Sequence, residues 1–162
     1  MRGLHILQYN AEKSAGRQQT LLADPKMQDY DVIALQEPSY NRQTGGTHCS
    51  QGSGFWPVYE SQGQLSRVVL LFNKRLDIGD WGVEQVDNCI QMAQIQTSQG
   101  LVQLINVYVM VDEGQVMLGS DSALGKVLEL FDGDSEGVLL DNFNLHHLFW
   151  RGKQVRHADE AA

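Results

Sequence analysis

Cysteine and proline are scarce in this sequence, and long hydrophobic runs are missing. Its two cysteines, Cys49 and Cys89, lack the paired spacing of a zinc site or a disulfide framework, so we expect two free thiols. No stretch approaches the roughly 18 apolar residues of a membrane span. The apolar start at residues 4–9 is cut short by Asn10 and Glu12, too early for a secretory signal. These absences predict an intracellular protein without a membrane partner.

Positive charge is scarce as well. The chain has 12 Lys and Arg against 20 Asp and Glu, which gives a formal net charge of −8. This balance disfavours a general electrostatic grip on DNA or RNA, because nucleic-acid backbones are polyanions. Any polyanion would have to bind locally. A divalent metal ion could provide such a site, because it would be the largest local charge.

The length and composition of the chain indicate one domain over residues 1–162, since 42% of the 162 residues are hydrophobic. A helix is predicted over residues 14–23, ended by Pro25, which cannot continue a helix. A second helix is predicted over residues 122–131. Its signals are four apolar residues on one face, with Gly133 where a C-terminal cap belongs: Leu124, Val127, Leu128 and Phe131.

Strands dominate the middle of the chain. Short apolar or alternating runs predict them at residues 4–9, 31–35, 55–59, 68–72, 90–95, 102–109 and 137–140, with a glycine-rich loop over residues 41–54 and a hairpin turn at Ser98-Gln99-Gly100. This pattern favours an α/β fold over a helical bundle or an all-β sandwich. Nothing after residue 140 supplies a further strand, so an exposed apolar edge there predicts self-association.

Four polar clusters stand at or near the ends of predicted strands. They are Gln8 to Asn10, Gln36-Glu37, Asn106 to Tyr108, and Asn142 to Asn144. Loops at the carboxyl ends of strands converge over one edge of an α/β sheet, where ligand sites usually lie. A single Glu after a strand is more often a solvated or capping residue. On residue types alone, both interpretations stay open.

The order of these clusters carries a resemblance to a known family. LQYN at residues 7–10, DVIALQEP at 31–38, INVY at 105–108, and NFNLHH at 142–147 followed by Trp150 resemble the motif series of the endonuclease/exonuclease/phosphatase superfamily. The last motif is similar to the G-D-F-N-x-H-H-P-x-W signature of LINE-like non-LTR retrotransposon endonucleases. FNKRL at residues 72–76 is similar to fungal members. The resemblance, over residues 4–160, implies a partial four-layer α/β/β/α sandwich that lacks its last strands.

The resemblance also implies a chemistry, magnesium-dependent hydrolysis of a DNA phosphodiester that nicks a target site. It implies that Glu37 and Asn10 bind one Mg²⁺ or Mn²⁺ through oxygen atoms, the ligands that such hard cations prefer. Tyr108 would hydrogen-bond near the scissile phosphate, and Asn144 would orient the attacking water or the phosphate. DNA is the partner that follows.

Two departures from the family pattern predict impaired catalysis. Asn142 stands where the family has the Asp that activates water, and loss of a general base costs about 10²- to 10⁴-fold in rate. Asp141 is not expected to replace it, because neighbouring strand residues face opposite sides. The chain also ends before the family's Ser-Asp-His segment.

Three hypotheses follow from these departures. The chain is an impaired endonuclease, a non-catalytic remnant, or a member of another branch such as a phosphoinositide phosphatase or sphingomyelinase-like hydrolase. The pair His146-His147 disfavours the last, although both side chains are expected to pack in a loop rather than bind metal. Trp150 is expected to close a core edge rather than stack on a base.

Overall fold

The first sheet forms around two strands whose residues are all buried. The computed structural model describes residues 3–49, 52–58, 65–109, 111–112, 115–116, 123–130 and 136–141. The sheet has the order β1 (Ile6–Asn10), β2 (Val32–Gln36), β4 (Val68–Asn73), β3 (Phe55–Val58). β1 and β2 are parallel, with Asn10 opposite Gln36, and β4 runs antiparallel to both its neighbours. Strands buried on both faces read as continuous apolar runs, as β2 and β4 do.

The second sheet has the order β10 (Glu136–Asp141), β7 (Gly100–Val107), β6 (Ile90–Thr97), β5 (Trp81–Asp87). The predicted hairpin between β6 and β7 is confirmed, with Thr97 opposite Gly100. β10 lies parallel to β7 and is the edge strand of the described sheet. Self-association through this edge stays a prediction. A separate two-stranded hairpin consists of β8 (Val111–Asp112) and β9 (Gln115–Val116).

The helices cover the outer faces of the two sheets. α1 (Ala15–Ala23) begins at Ser14, whose side chain accepts from the Arg17 amide, and a short 3₁₀-helix, Pro25–Asp29, follows it. α2 (Ala123–Leu130) falls within the predicted range 122–131. A further 3₁₀-helix, Ile78–Asp80, leads into β5. None of the helices in the described ranges has the length and apolarity to cross a membrane.

Three clusters of buried side chains define the layers. Leu22 and Met27 pack on the outer face of the first sheet, against Ile33, Leu35, Val69 and Leu71. A second cluster fills the space between the two sheets and contains residues of both: Val32, Ala34, Leu70, Phe72, Ala93, Ile95 and Leu104. Val127 of α2 packs on the outer face of the second sheet, against Ile90, Ile105 and Val107. The order is therefore helix, sheet, sheet, helix, and the predicted α/β/β/α sandwich is confirmed.

Arg75 holds together the end of the first sheet at which β1 and β2 begin. Its guanidinium donates to Asp31 Oδ1 from Nε at 3.1 Å and from NH2 at 2.6 Å, and it also donates to the carbonyls of Gln28 and Asp29. Asp31 in turn accepts from the His5 amide at 2.8 Å through Oδ2. The motif at residues 72–76 therefore has a structural role in this chain.

Candidate functional site

Buried amides join the two sheets where the carboxyl ends of their parallel strands meet. The Gln36 side chain, fully buried, donates to the carbonyl of Val107 at 3.0 Å and to that of Leu140 at 3.3 Å. The Asn106 side chain donates in the opposite direction, to the carbonyl of Leu35 at 3.1 Å. We call this reciprocal pair, Gln36 and Asn106, the amide clasp. It brings the ends of β1, β2, β7 and β10 to one edge of the sandwich.

At this edge lies a cluster that we call the rim, made of Asn10, Glu12, Lys13, Glu37, Arg67 and Tyr108. Three of its residues, Glu12, Lys13 and Glu37, have positive φ angles of 48°, 57° and 46°. They are all the non-glycine residues with positive φ in the described ranges. Such a conformation costs roughly 1–2 kcal/mol per residue, and strain of this kind concentrates at functional sites. The backbone therefore marks the rim independently of any sequence motif.

Backbone hydrogen bonds hold the rim in this conformation. Asn10 Oδ1 accepts from the Glu12 amide at 2.8 Å, which turns the chain directly after β1. The Lys13 amide donates to the Glu37 carbonyl at 2.8 Å, and the Glu37 amide donates to the Arg67 carbonyl at 2.8 Å. Three chain segments, after β1, after β2 and before β4, are thus linked in series.

The Glu37 carboxylate lies between two basic side chains. Lys13 Nζ is 3.8 Å and Arg67 Nη1 is 3.7 Å from the same oxygen, Oε1. The Glu37 side chain is only 17% exposed, whereas those of Lys13 and Arg67 are 65% and 34% exposed. Glu12 has its own partner, Arg17, at 2.5 Å. The centre of the rim therefore carries two positive charges and one negative charge, in a chain of net charge −8.

Tyr108 completes the rim from the second sheet. It is 8% exposed, and the Arg67 guanidinium lies over its ring, 5.5 Å from the ring centroid. Burial raises the pKa of the Tyr108 hydroxyl above its ordinary 10.0, and the nearby Glu37 carboxylate raises it further against a smaller opposing effect of Arg67. Tyr108 is therefore a neutral hydrogen-bonding group at physiological pH.

The raised pKa of Tyr108 predicts a loss of stability at alkaline pH. Below pH 10.0 the hydroxyl is protonated in both the folded and the unfolded chain. As pH rises further, the unfolded chain loses this proton first, so the free energy of unfolding falls until the pH passes the folded pKa. Urea denaturation of wild type above pH 10.0 should show a steeper fall than Tyr108→Phe. Parallel curves for the two proteins would contradict the assignment.

The described rim residues do not fit a preformed divalent-cation site. No group of three or more His, Cys, Asp and Glu residues that could hold a metal ion occurs in the described part of the chain. Glu37 supplies one anionic oxygen donor, but Lys13 and Arg67 already offset its charge. Asn10 Oδ1 already accepts a backbone hydrogen bond. Mg²⁺ prefers several oxygen ligands without competing cations, so binding through Asn10 and Glu37 stays a prediction.

The structure brings together three of the five predicted site residues, Asn10, Glu37 and Tyr108. Asn142 and Asn144 lie outside the described residues, as do His146, His147 and Trp150. Sequence reasoning missed Lys13 and Arg67. Their positions were the available signal. Lys13 follows the Asn10 motif, and Arg67 directly precedes β4, which is paired with β2.

Asp141 lies on the helix-covered side of the second sheet. It is opposite Val107 in the register of β10 and β7, and it alternates with Leu140, which packs between the sheets. Leu139, two residues earlier and on the same face as Asp141, packs in the cluster against α2. This placement supports the expectation that Asp141 does not replace a carboxylate at position 142.

A cleft with a volume of about 590 Å³ lies at the opposite end of the sandwich. Its titratable lining residues are Asp31 and Glu136, and the turn between β6 and β7 forms much of its wall. Asp31 is already bound by Arg75. Its described lining has carboxylates and no basic residue, so this cleft does not suit a phosphate and the rim is the better candidate.

Comparison with known proteins supports the fold. The sequence matches no protein-family profile and no curated protein. Among solved structures, the chain is similar to the endonuclease domain of TRAS1, a telomere-specific non-LTR retrotransposon, with a TM-score of 0.60 and 13% sequence identity. The match covers 91% of this chain and 63% of that domain. The chain therefore has the fold of that endonuclease domain over nearly all of its length.

Proposed function

We propose that this chain is a DNA-binding domain of the endonuclease fold, derived from a LINE-like, fungal-type non-LTR retroelement, whose phosphodiester hydrolysis is impaired. The observation that carries the proposal is the rim. Two basic side chains and a neutral tyrosine hydroxyl meet at the carboxyl ends of the strands, in a chain that is otherwise acidic. Phosphate oxygens accept hydrogen bonds from such donors and are attracted by their charge. A local site of this kind overcomes the unfavourable net charge.

In this proposal the rim binds and orients the DNA backbone. Arg67 and Lys13 contact phosphate oxygens, and Tyr108 donates a hydrogen bond to one of them. Asn144 orients the phosphate or a water molecule, as its resemblance implies. The resemblance also implies Mg²⁺ or Mn²⁺ at Asn10 and Glu37, but the offset charge of Glu37 leads us to expect weak binding, and no catalytic step is assigned to the ion.

Hydrolysis is proposed to be weak because Asn142 stands where water activation requires a base. An amide cannot accept a proton at neutral pH, and loss of a general base costs about 10²- to 10⁴-fold. A non-catalytic domain that keeps only DNA binding is the second candidate. The ion pairing of Glu37 with Lys13 and Arg67 favours it.

A plasmid-nicking assay tests the proposed impairment. We expect the purified chain with magnesium to nick supercoiled plasmid no faster than background. The same chain should retard a short DNA duplex at low salt. Asn142→Asp is expected to restore little nicking, because Lys13 and Arg67 still offset Glu37. Efficient nicking that EDTA stops and that Glu37→Gln abolishes would show that the domain is an active metal-dependent nuclease. Failure to bind any DNA would reject the proposed function itself.

A further inference from the structure

The contacts of Glu37 are those of an ion that is held loosely by two cations. Charge-assisted N–H···O hydrogen bonds are about 2.7–2.9 Å long. Lys13 Nζ and Arg67 Nη1 lie 3.8 Å and 3.7 Å from Glu37 Oε1, close enough to attract it but beyond that range. Arg75 provides the contrast, since it reaches Asp31 at 2.6 Å. The Glu37 pair can therefore be replaced by another anion at small cost.

The chain segments that carry the two cations are fixed by contacts other than this carboxylate. The Lys13 backbone is fixed by its amide bond to the Glu37 carbonyl, and the Arg67 amide donates to the Asn88 carbonyl at 2.6 Å. The Arg67 guanidinium also lies over the Tyr108 ring. If the carboxylate moved away, the ammonium and guanidinium groups would both lie within 3.8 Å of the position that Oε1 leaves. Phosphate oxygens have the charge and the acceptor geometry to fill this gap.

We propose that in the free protein the Glu37 carboxylate occupies the position that a DNA phosphate takes between Lys13 and Arg67, and so restrains DNA binding. The inference rests on the proposed function, since it takes DNA as the ligand. A tethered carboxylate has a high effective concentration at the site, so an incoming phosphate must displace it. Glu37 is then a self-inhibitory residue, and Lys13 and Arg67 are the phosphate-binding residues.

The effect of Glu37 on DNA binding distinguishes this role from that of a metal ligand alone. A ligand that acts only through a bound ion has no effect on DNA binding when the ion is absent. A carboxylate that competes with phosphate weakens binding most clearly when no ion is present. Metal-free binding of DNA therefore separates the two roles.

The experiment is fluorescence anisotropy of a labelled DNA duplex with the full chain in EDTA, at several salt concentrations. Glu37→Gln should bind about fivefold more tightly than wild type, since it removes the competing charge and keeps the side-chain shape. Lys13→Gln and Arg67→Gln should each bind about fivefold more weakly, with a salt dependence reduced by about one counterion. In the double variant Glu37→Gln/Arg67→Gln, most of the gain should disappear.

Two charge-matched controls sit away from the rim. Glu84→Gln, on an exposed position of β5, makes the same change in net charge as Glu37→Gln. Lys26→Gln, in the exposed 3₁₀-helix after α1, matches Lys13→Gln. Both should stay within about twofold of wild type, as expected for distant surface charges.

The outcomes separate the inference from the proposed function. If wild type binds DNA but Glu37→Gln binds no more tightly than Glu84→Gln, the inference is overturned and the proposed function stands. Should Arg67→Gln fail to fold, as judged by thermal melting, Lys13→Gln provides the same test, and unchanged binding by Lys13→Gln overturns the inference. If neither wild type nor Glu37→Gln binds DNA, both are rejected.

Discussion

Replacing Gln36 with leucine is expected to lower the free energy of unfolding by about 2–4 kcal/mol. The substitution removes the donor that serves the carbonyls of Val107 and Leu140, and the acceptor that the Gln8 side chain uses at 3.2 Å. Each buried polar group left without its partner costs about 1–3 kcal/mol, and an added apolar side chain recovers part of this. Urea denaturation followed by tryptophan fluorescence measures the change.

The matched control is Gln96→Leu. Gln96 is exposed on β6, and its side chain donates only to the neighbouring Thr97 carbonyl. Its loss should change the free energy of unfolding by less than about 0.5 kcal/mol. The Gln36 variant should also lose DNA affinity, because the amide clasp positions β2 and β7 at the rim. Equal stability of the two variants would show that the clasp does not hold the sheets together.

Replacing Arg75 with alanine is expected to cost about 2–3 kcal/mol. Asp31, whose side chain is 11% exposed, would lose its main cationic partner and become a charge in a poorly solvated position. Removing one member of a buried pair costs about 3–5 kcal/mol, and we expect less here because the Arg75 side chain is 35% exposed. The double variant with Asp31→Asn should cost less than the sum of the two single variants, as a coupled pair requires.

The chain offers an exposed pair of similar chemistry as the control for Arg75. Arg17 and Glu12 are 2.5 Å apart, and their side chains are 52% and 62% exposed. Arg17→Ala should therefore cost much less stability than Arg75→Ala despite the short distance. If both arginine variants lose the same stability, burial of Asp31 is not the cause of the larger effect.

Much of the fold followed from local patterns in the sequence. Pro25 as a stop marked the end of α1, and the spacing of Val127 with its apolar neighbours predicted α2, each helix within one residue of the structure. β5 was missed. Its sequence, WGVEQVD, contains Gly82 and two acids, and in the described sheet it is a partly exposed edge strand paired only with β6. A partly exposed edge strand needs few apolar residues, so its sequence pattern is weak. The strand forms because of its tertiary contacts.

The candidate site was only partly predictable. Motif order pointed to Asn10, Glu37 and Tyr108, which the fold does bring together. Arg67 could not be placed beside Glu37 from spacing, because 30 positions separate them and only the antiparallel pairing of β2 with β4 makes them neighbours. Lys13 and Arg67 likewise offset the charge of Glu37 only because the fold brings them close to it. For that reason the sequence indicated Glu37 as a metal ligand without revealing the two basic side chains beside it.

The amide clasp also determines when the rim can form during folding. Its hydrogen bonds join residues 71 and 104 positions apart, whereas the hairpin of β6 and β7 pairs residues close in sequence. Contacts between distant residues carry the larger cost of loop closure, so each sheet should assemble from its nearer pairs before the two carboxyl ends are joined. We therefore expect the rim to be among the last parts of the molecule to acquire its structure. A chain caught before that step would contain both sheets and still lack a binding site.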